Sequence, residues 1–140
     1  MPELAVPHLL FETAHGTWAL PQAQAQEVFE LSSVRALPGA PAHVRGLAVV
    51  RGELVTLVDL DVLRGQPVDA LPGRAVLVRT PRGALGLISL RVLGLEPVPV
   101  APAVAAEGLG RLLRGPVVVA DRAVLALDGD GLGAWLETIC

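Results

Sequence analysis

The sequence predicts a mainly β protein with only short helices, folded as two small barrels, one for each half of the chain. Three observations lead there. Apolar residues come in short Val- and Leu-rich runs bounded by Gly or Pro, and no long amphipathic helix is visible. Two blocks recur in the same order at nearly equal offsets: residues 45–59 align without a gap on 114–128, and residues 9–20 on 76–87. Finally, 140 residues suit one ordinary domain or two very small ones. A half of this size is marginal alone, so the two halves are expected to share an apolar seam.

The elements follow in order. Each half opens with a hairpin, turning at "AHGT" (14–17) or "PRGA" (81–84). Gly16 and Gly83 are expected there because a tight hairpin turn needs positive φ. "PQAQAQEV" (21–28) reads as one or two helical turns, with Pro21 suited to a first helical position. An Arg-Gly strand comes next. Its turn lies at "RGE", where Gly52 supplies the left-handed permission, and a second strand runs to Asp59, which starts a short helical piece. "RGQPVDALPG" (64–73) is the linker between halves. In the second half, "PVPVAPAVAAEG" (97–108) reads as an edge strand or loop, since Pro cannot donate to a ladder. Asp121 takes the turn position of Gly52, and "DGLGAWLETI" (130–139) is a candidate terminal helix with Trp135 on its apolar side. This gives one domain, residues 1–140. Residues 7–64 with 130–140 are expected in the first barrel and 74–129 in the second.

Composition narrows the function. The chain is 52% hydrophobic, too apolar for a disordered polymer. Only Phe11, Phe29, Trp18 and Trp135 are aromatic, so the core must be Val, Leu and Ala. All eleven basic residues are Arg, yet the net charge is −3, which argues against a nucleic-acid partner. The one cysteine, Cys140, is terminal and fits a reducing compartment. The N-terminus lacks a basic region followed by an apolar core, and Arg91, Glu96 and several prolines interrupt the greasiest stretch. A soluble cytoplasmic protein without direct membrane insertion is expected.

Catalytic constellations are missing. "GDGLGA" (129–134) has the form of a dinucleotide fingerprint, but too few residues follow it to supply a second strand or a ribose-binding acid. Counting a calcium loop from Asp128 puts Ile139 where Glu is required. His8, His15 and His43 share no metal-ligand spacing. Ser32, Ser33 and Ser89 lack the context of a nucleophile. No enzyme, cofactor or metal is expected.

The arginines of "VRGLAVVRGELVTLVDL" (44–60) are the remaining signal. On a regular strand, residues 45, 47, 49 and 51 share one face, with Arg45 and Arg51 about 20 Å apart at roughly 3.3 Å per residue. The other face carries Gly46, Ala48, Val50 and Gly52, small enough to admit a neighbouring backbone. Two accounts stand. The arginines cap strand ends and pair with Asp59 or Asp61, or they flank an apolar strip that docks a partner.

Residues 37–60, "LPGAPAHVRGLAVVRGELVTLVDL", resemble the signature of the CheW-like domain. Pro38, Gly39, Pro41, Val44, Arg45, Gly46, Arg51, Gly52, Val58, Asp59 and Leu60 match that pattern. The likeness extends to the opening hairpin (11–21), to "EVFEL" (27–31) as the following strand, and to the closing segment (121–132). It departs at Val49-Val50, where the family has Asn-Leu, at Thr56, and at Ser89-Leu90 in place of Val-Asp.

The resemblance implies two five-stranded, SH3-like barrels. It also implies a non-catalytic adaptor that couples the tip of a methyl-accepting chemoreceptor to the regulatory domain of a CheA-type histidine kinase. On that reading Arg45, Gly46, Arg51, Gly52 and Asp59 belong to a protein-binding surface, and Val28, Val44 and Val49 line a groove for the receptor. The same adaptor could serve a pilus or surface-motility pathway. Two other classes remain: a β-barrel interaction module outside signalling, and a small nucleic-acid-binding barrel, which the charge opposes.

Overall fold

The computed structural model describes residues 5–80, 83–99, 113–119 and 122–127. Among these described residues ten strands run β1 (Ala5–Thr13), β2 (Gly16–Pro21), β3 (Ala25–Glu30), β4 (Val44–Val50), β5 (Glu53–Val58), β6 (Arg74–Thr80), β7 (Gly83–Ser89), β8 (Arg91–Pro99), β9 (Leu113–Val119) and β10 (Arg122–Leu127). The short helix α1 (Leu60–Leu63) follows β5. The strands form two five-stranded sheets. Sheet I has the order β8-β1-β2-β10-β9 and sheet II the order β3-β6-β7-β5-β4. The all-β, two-sheet expectation holds.

The assignment of halves to sheets does not hold. The first half gives β1 and β2 to sheet I but β3, β4 and β5 to sheet II. The second half reciprocates, with β6 and β7 in sheet II and β8, β9 and β10 in sheet I. Residues 7–64 therefore do not build one sheet, nor do 74–129 the other. Each opening hairpin pairs in parallel with the closing hairpin of the opposite half, β2 with β10 and β7 with β5. Parallel pairing needs a long crossover. A repeat reveals the plan of the unit without saying which copy each hairpin joins, because either pairing satisfies the same apolar pattern.

The duplication itself is visible in the ladders. Thr13 pairs with Gly16 and Phe11 with Trp18; at the aligned positions Thr80 pairs with Gly83 and Val78 with Leu85. Both threonine hydroxyls lie within hydrogen-bond reach of the facing glycine carbonyl, at 3.2 and 2.9 Å. In the closing hairpins, β4–β5 skips a residue at Arg45 and β9–β10 skips one at Arg114. The central parallel register is equivalent as well: Leu57 faces Gly86 as Ala126 faces Ala19.

Three apolar clusters hold the two sheets. Phe11, Trp18, Leu20, Val58, Leu60, Val76, Val78, Leu85, Leu87 and Leu127 form the seam between them. A second cluster, including Val55, Leu57, Leu77 and Ile88, fills sheet II. A third, including Leu10, Ala19, Val98, Val124 and Ala126, fills sheet I. Alternate residues of β1, β2, β6 and β7 thus point into a sheet's own core or into the seam. That double burial explains why β7, "GALGLIS", reads as a continuous apolar run rather than an alternation.

Other local expectations divide. Residues 22–24 form a turn, with the Gln24 amide donating to the Pro21 carbonyl at 3.0 Å, and β3 begins at Ala25. The predicted helical turns are absent because this short segment only joins two strands of different sheets. Gly83 has φ of 133°, as expected, but Gly16 is a strand residue with no positive φ; the turn is made by Ala14 and His15. At the second turn Arg51 (φ 51°) and Gly52 (φ 80°) are both left-handed, the pattern of a tight primed turn. Pro97 and Pro99 lie on β8, an edge strand, as their chemistry requires. The "PRGA" turn residues 81–82, residues 100–108, Asp121, "GDGLGA", the terminal helix and Cys140 lie outside the described residues.

Candidate functional site

The Arg-Gly stretch builds the site from β4 and β5. The ladder shifts between Val44 and Gly46, which leaves Arg45 as the extra residue of a bulge. Gly46 sits at φ 138°, and a Cβ there would come within 2.4 Å of the Arg35 carbonyl oxygen. The small face of β4 does admit another backbone: Arg35 and Leu47 exchange hydrogen bonds of 2.9 and 2.8 Å, covering part of the β4 edge.

The bulge separates the two arginines by role. Arg45 Nη1 donates to Asp59 Oδ2 at 2.6 Å, and only 12% and 13% of these side chains are exposed. Its Nη2 donates to the Asp69 carbonyl at 2.5 Å and ties down the linker. Asp59 also caps α1, accepting from the Val62 amide at 3.2 Å through Oδ1. Arg45 is thus an interior clamp between strand, helix cap and linker. Arg51 is at the turn, 77% exposed, and reaches Glu27 of β3 at 2.5 Å. This pair links the two edge strands' ends of sheet II, so the sheet curls on itself.

A second exposed link lies in the same sheet. Arg79 grips Glu53 through two bonds of 2.7 Å and donates to Gln26 Oε1 at 3.1 Å. The Arg79 hydrogen bond holds the Glu53 carboxyl below its ordinary value, and the arginine is raised in turn. Val49 and Leu54 face each other across β4 and β5, and both are exposed. Val28 on β3 is exposed as well, whereas Val44 is half-buried. Of the predicted surface, Val28, Val49, Arg51 and Gly52 are accessible; Arg45, Gly46 and Asp59 are largely interior.

Sequence reasoning missed Glu27, Leu54 and the Arg79–Glu53 grip. Nothing local pairs Glu27 with Arg51, since their contact depends on the curl of a whole sheet. It also missed a buried polar cluster at the first hairpin. Asp61 accepts from the Thr13 hydroxyl at 2.8 Å and from the His15 amide at 3.2 Å. Trp18 Nε1 donates to Thr13 Oγ1 at 3.0 Å, and the Arg64 guanidinium lies 5.7 Å from the Trp18 ring centre. Ser89, at the departure from the family pattern, is buried with no hydrogen-bond partner for its hydroxyl.

Among the described residues, no three His, Cys, Asp or Glu side chains converge to hold a metal ion. No helix among them is long and apolar enough to cross a membrane.

The comparisons with known proteins agree on one family. The family model described as the CheW-like domain matches residues 7–137. The crystal structure of the scaffolding protein TtCheW from Thermoanaerobacter tengcongensis superimposes with a TM-score of 0.73, at 19% identity, covering 91% of this chain and 90% of that one. At that identity the superposition speaks for the fold. No curated protein matches in a sequence search. Family members are non-catalytic scaffolds that serve as coupling adaptors in chemotaxis-type signalling. With two hairpin units in reciprocal sheets, an Arg-Gly bulge clamped to Asp59, and a family match spanning both sheets, the chain belongs to the CheW-like domain family.

Proposed function

We propose that this chain is a cytoplasmic adaptor that couples a chemoreceptor tip to the regulatory domain of a CheA-type histidine kinase. The supporting observation is the exposed apolar pair Val49–Leu54 on neighbouring strands, bordered by the Arg51–Glu27 link. Large apolar side chains facing each other in water, rimmed by an arginine that already spans two strands, suit a protein partner. Val28, Val44, Val49, Arg51 and Gly52 belong to this docking surface. Arg45, Gly46 and Asp59 act through it by fixing the backbone of β4.

Pull-down against a kinase regulatory domain tests the reading. Arg51→Ala is expected to weaken capture several-fold while leaving the melting temperature almost unchanged, since an exposed ion pair contributes about 0–1 kcal/mol. Val49→Asp should abolish capture. Failure of the folded wild-type protein to bind any kinase or receptor candidate would refute the adaptor reading.

A further inference from the structure

A cleft of about 280 Å³ opens where the linker passes the first hairpin turn, bounded by His15, Asp61, Pro67, Leu71, Ile88 and Leu90. Its walls are mostly apolar, and three aspartates, Asp59, Asp61 and Asp69, line it. Asp69 is exposed to water and accepts from the Ala70 amide at 2.8 Å. Asp59 is neutralised by Arg45. Asp61 is different: it is 7% exposed, and its partners among the described residues are one hydroxyl and one backbone amide, with no cation. A carboxylate offers about four acceptor positions, so roughly two remain unfilled. Carboxylates this deeply buried are ordinarily paired with a cation.

We propose that this cleft receives the side chain of an arginine from a partner protein, with the guanidinium on Asp61. Arginine fits better than lysine. Its flat head is weakly hydrated and meets two carboxylate acceptors at once. Its stem packs on apolar walls such as Pro67, Leu71 and Leu90. The cleft is already shaped for it, because Arg45 fastens the Asp69 carbonyl and with it the linker wall. The proposal goes beyond the adaptor reading, and its test contains neither kinase nor receptor.

The test follows backbone amide signals of the labelled full chain during titration with N-acetyl-arginine amide. Shifts at His15, Asp61, Leu71 and Leu90 are expected to saturate. Binding should be at least tenfold tighter than for N-acetyl-citrulline amide, which has nearly the same shape without the charge. Asp61→Asn should remove that preference. Should that variant fail to fold, Ala70→Trp, on the exposed linker, should block the cleft and reduce binding at least tenfold without touching the carboxylate's own bonds. Equal response to both probes, or unchanged binding with the cleft blocked, would overturn the proposal. Tighter binding of free arginine than of the capped residue would overturn the protein partner in favour of a small molecule.

Discussion

Sheet I and sheet II are built on the same plan, register for register, yet they solve their packing differently. At the central parallel pair, sheet II places Leu57 against Gly86, with the Phe29 ring closing over the glycine. Sheet I places Ala126 against Ala19 at the equivalent point. A large residue opposite none and two small residues opposite each other fill comparable space. The hairpins differ in the opposite sense. Sheet I puts Trp18 and Phe11 into the seam where sheet II has Leu85 and Val78. The polar fittings differ too. Trp18, Thr13 and Asp61 form a hydrogen-bonded chain at one hairpin. Charged links lie on the surface of both sheets, Arg51–Glu27 and Arg79–Glu53 in sheet II and Arg91–Glu12 and Arg122–Glu12 in sheet I. Sheet I anchors the seam with its larger side chains and a buried polar chain, while sheet II carries the exposed facing pair Val49–Leu54.

The largest expected effects attack the anchor. Trp18→Ala should cost about 3–5 kcal/mol in denaturant unfolding, since it empties the seam and strands a hydrogen-bonded threonine. Leu85→Ala, its counterpart, should cost less; a larger loss there would reverse the roles of the two sheets. Arg45→Ala should cost on the order of 3 kcal/mol, because it leaves Asp59 with an uncompensated, mostly buried charge. The exposed Arg51→Ala stands against it with almost no loss, and a similar drop for both would erase the distinction between clamp and surface.

Smaller effects probe the packing exchange. Gly86→Ala should destabilise by about 1–3 kcal/mol, since its Cβ would meet Leu57 at 2.8 Å and Phe29 at 3.1 Å. Ala19→Gly should cost only about 0.5–1 kcal/mol. Ser89→Ala should stabilise the protein by about 1 kcal/mol, because it removes a buried hydroxyl without a partner.

The smallest effect is set by pH. Burial pushes the His43 imidazole below 6.5, so the fold disfavours its proton; that contribution is complete above 6.5 and declines as pH falls through it. Glu53, held below 4.5 chiefly by the Arg79 hydrogen bond, contributes above 4.5 and loses its contribution on further acidification. Melting curves should show the second decline reduced in Glu53→Gln; an unchanged decline would detach it from the Arg79–Glu53 grip.

Much of this was legible in the sequence, for local reasons. Asp59 reads as a cap because a short carboxylate before an apolar turn can accept from the backbone, and it does. Gly52 and Gly83 read as turn residues because only their backbones tolerate the geometry at low cost. The aligned blocks reappear as aligned ladders. What stayed hidden depends on distant partners. Nothing in "PQAQAQEV" shows that Ala25 to Glu30 will find β6. Alternation puts Arg45 on the same face as Arg51, but one bulged residue turns it inward to Asp59. Asp61 looks like an ordinary helix-start acid until Thr13, 48 positions earlier, is brought against it.

The crossing of hairpins between the halves has a mechanical consequence. Severing the linker would divide the polypeptide without freeing its pieces, since each fragment would still be threaded into a layer completed by the other. Force or strain applied to either face is therefore borne by both, and neither half can melt while its counterpart stays whole.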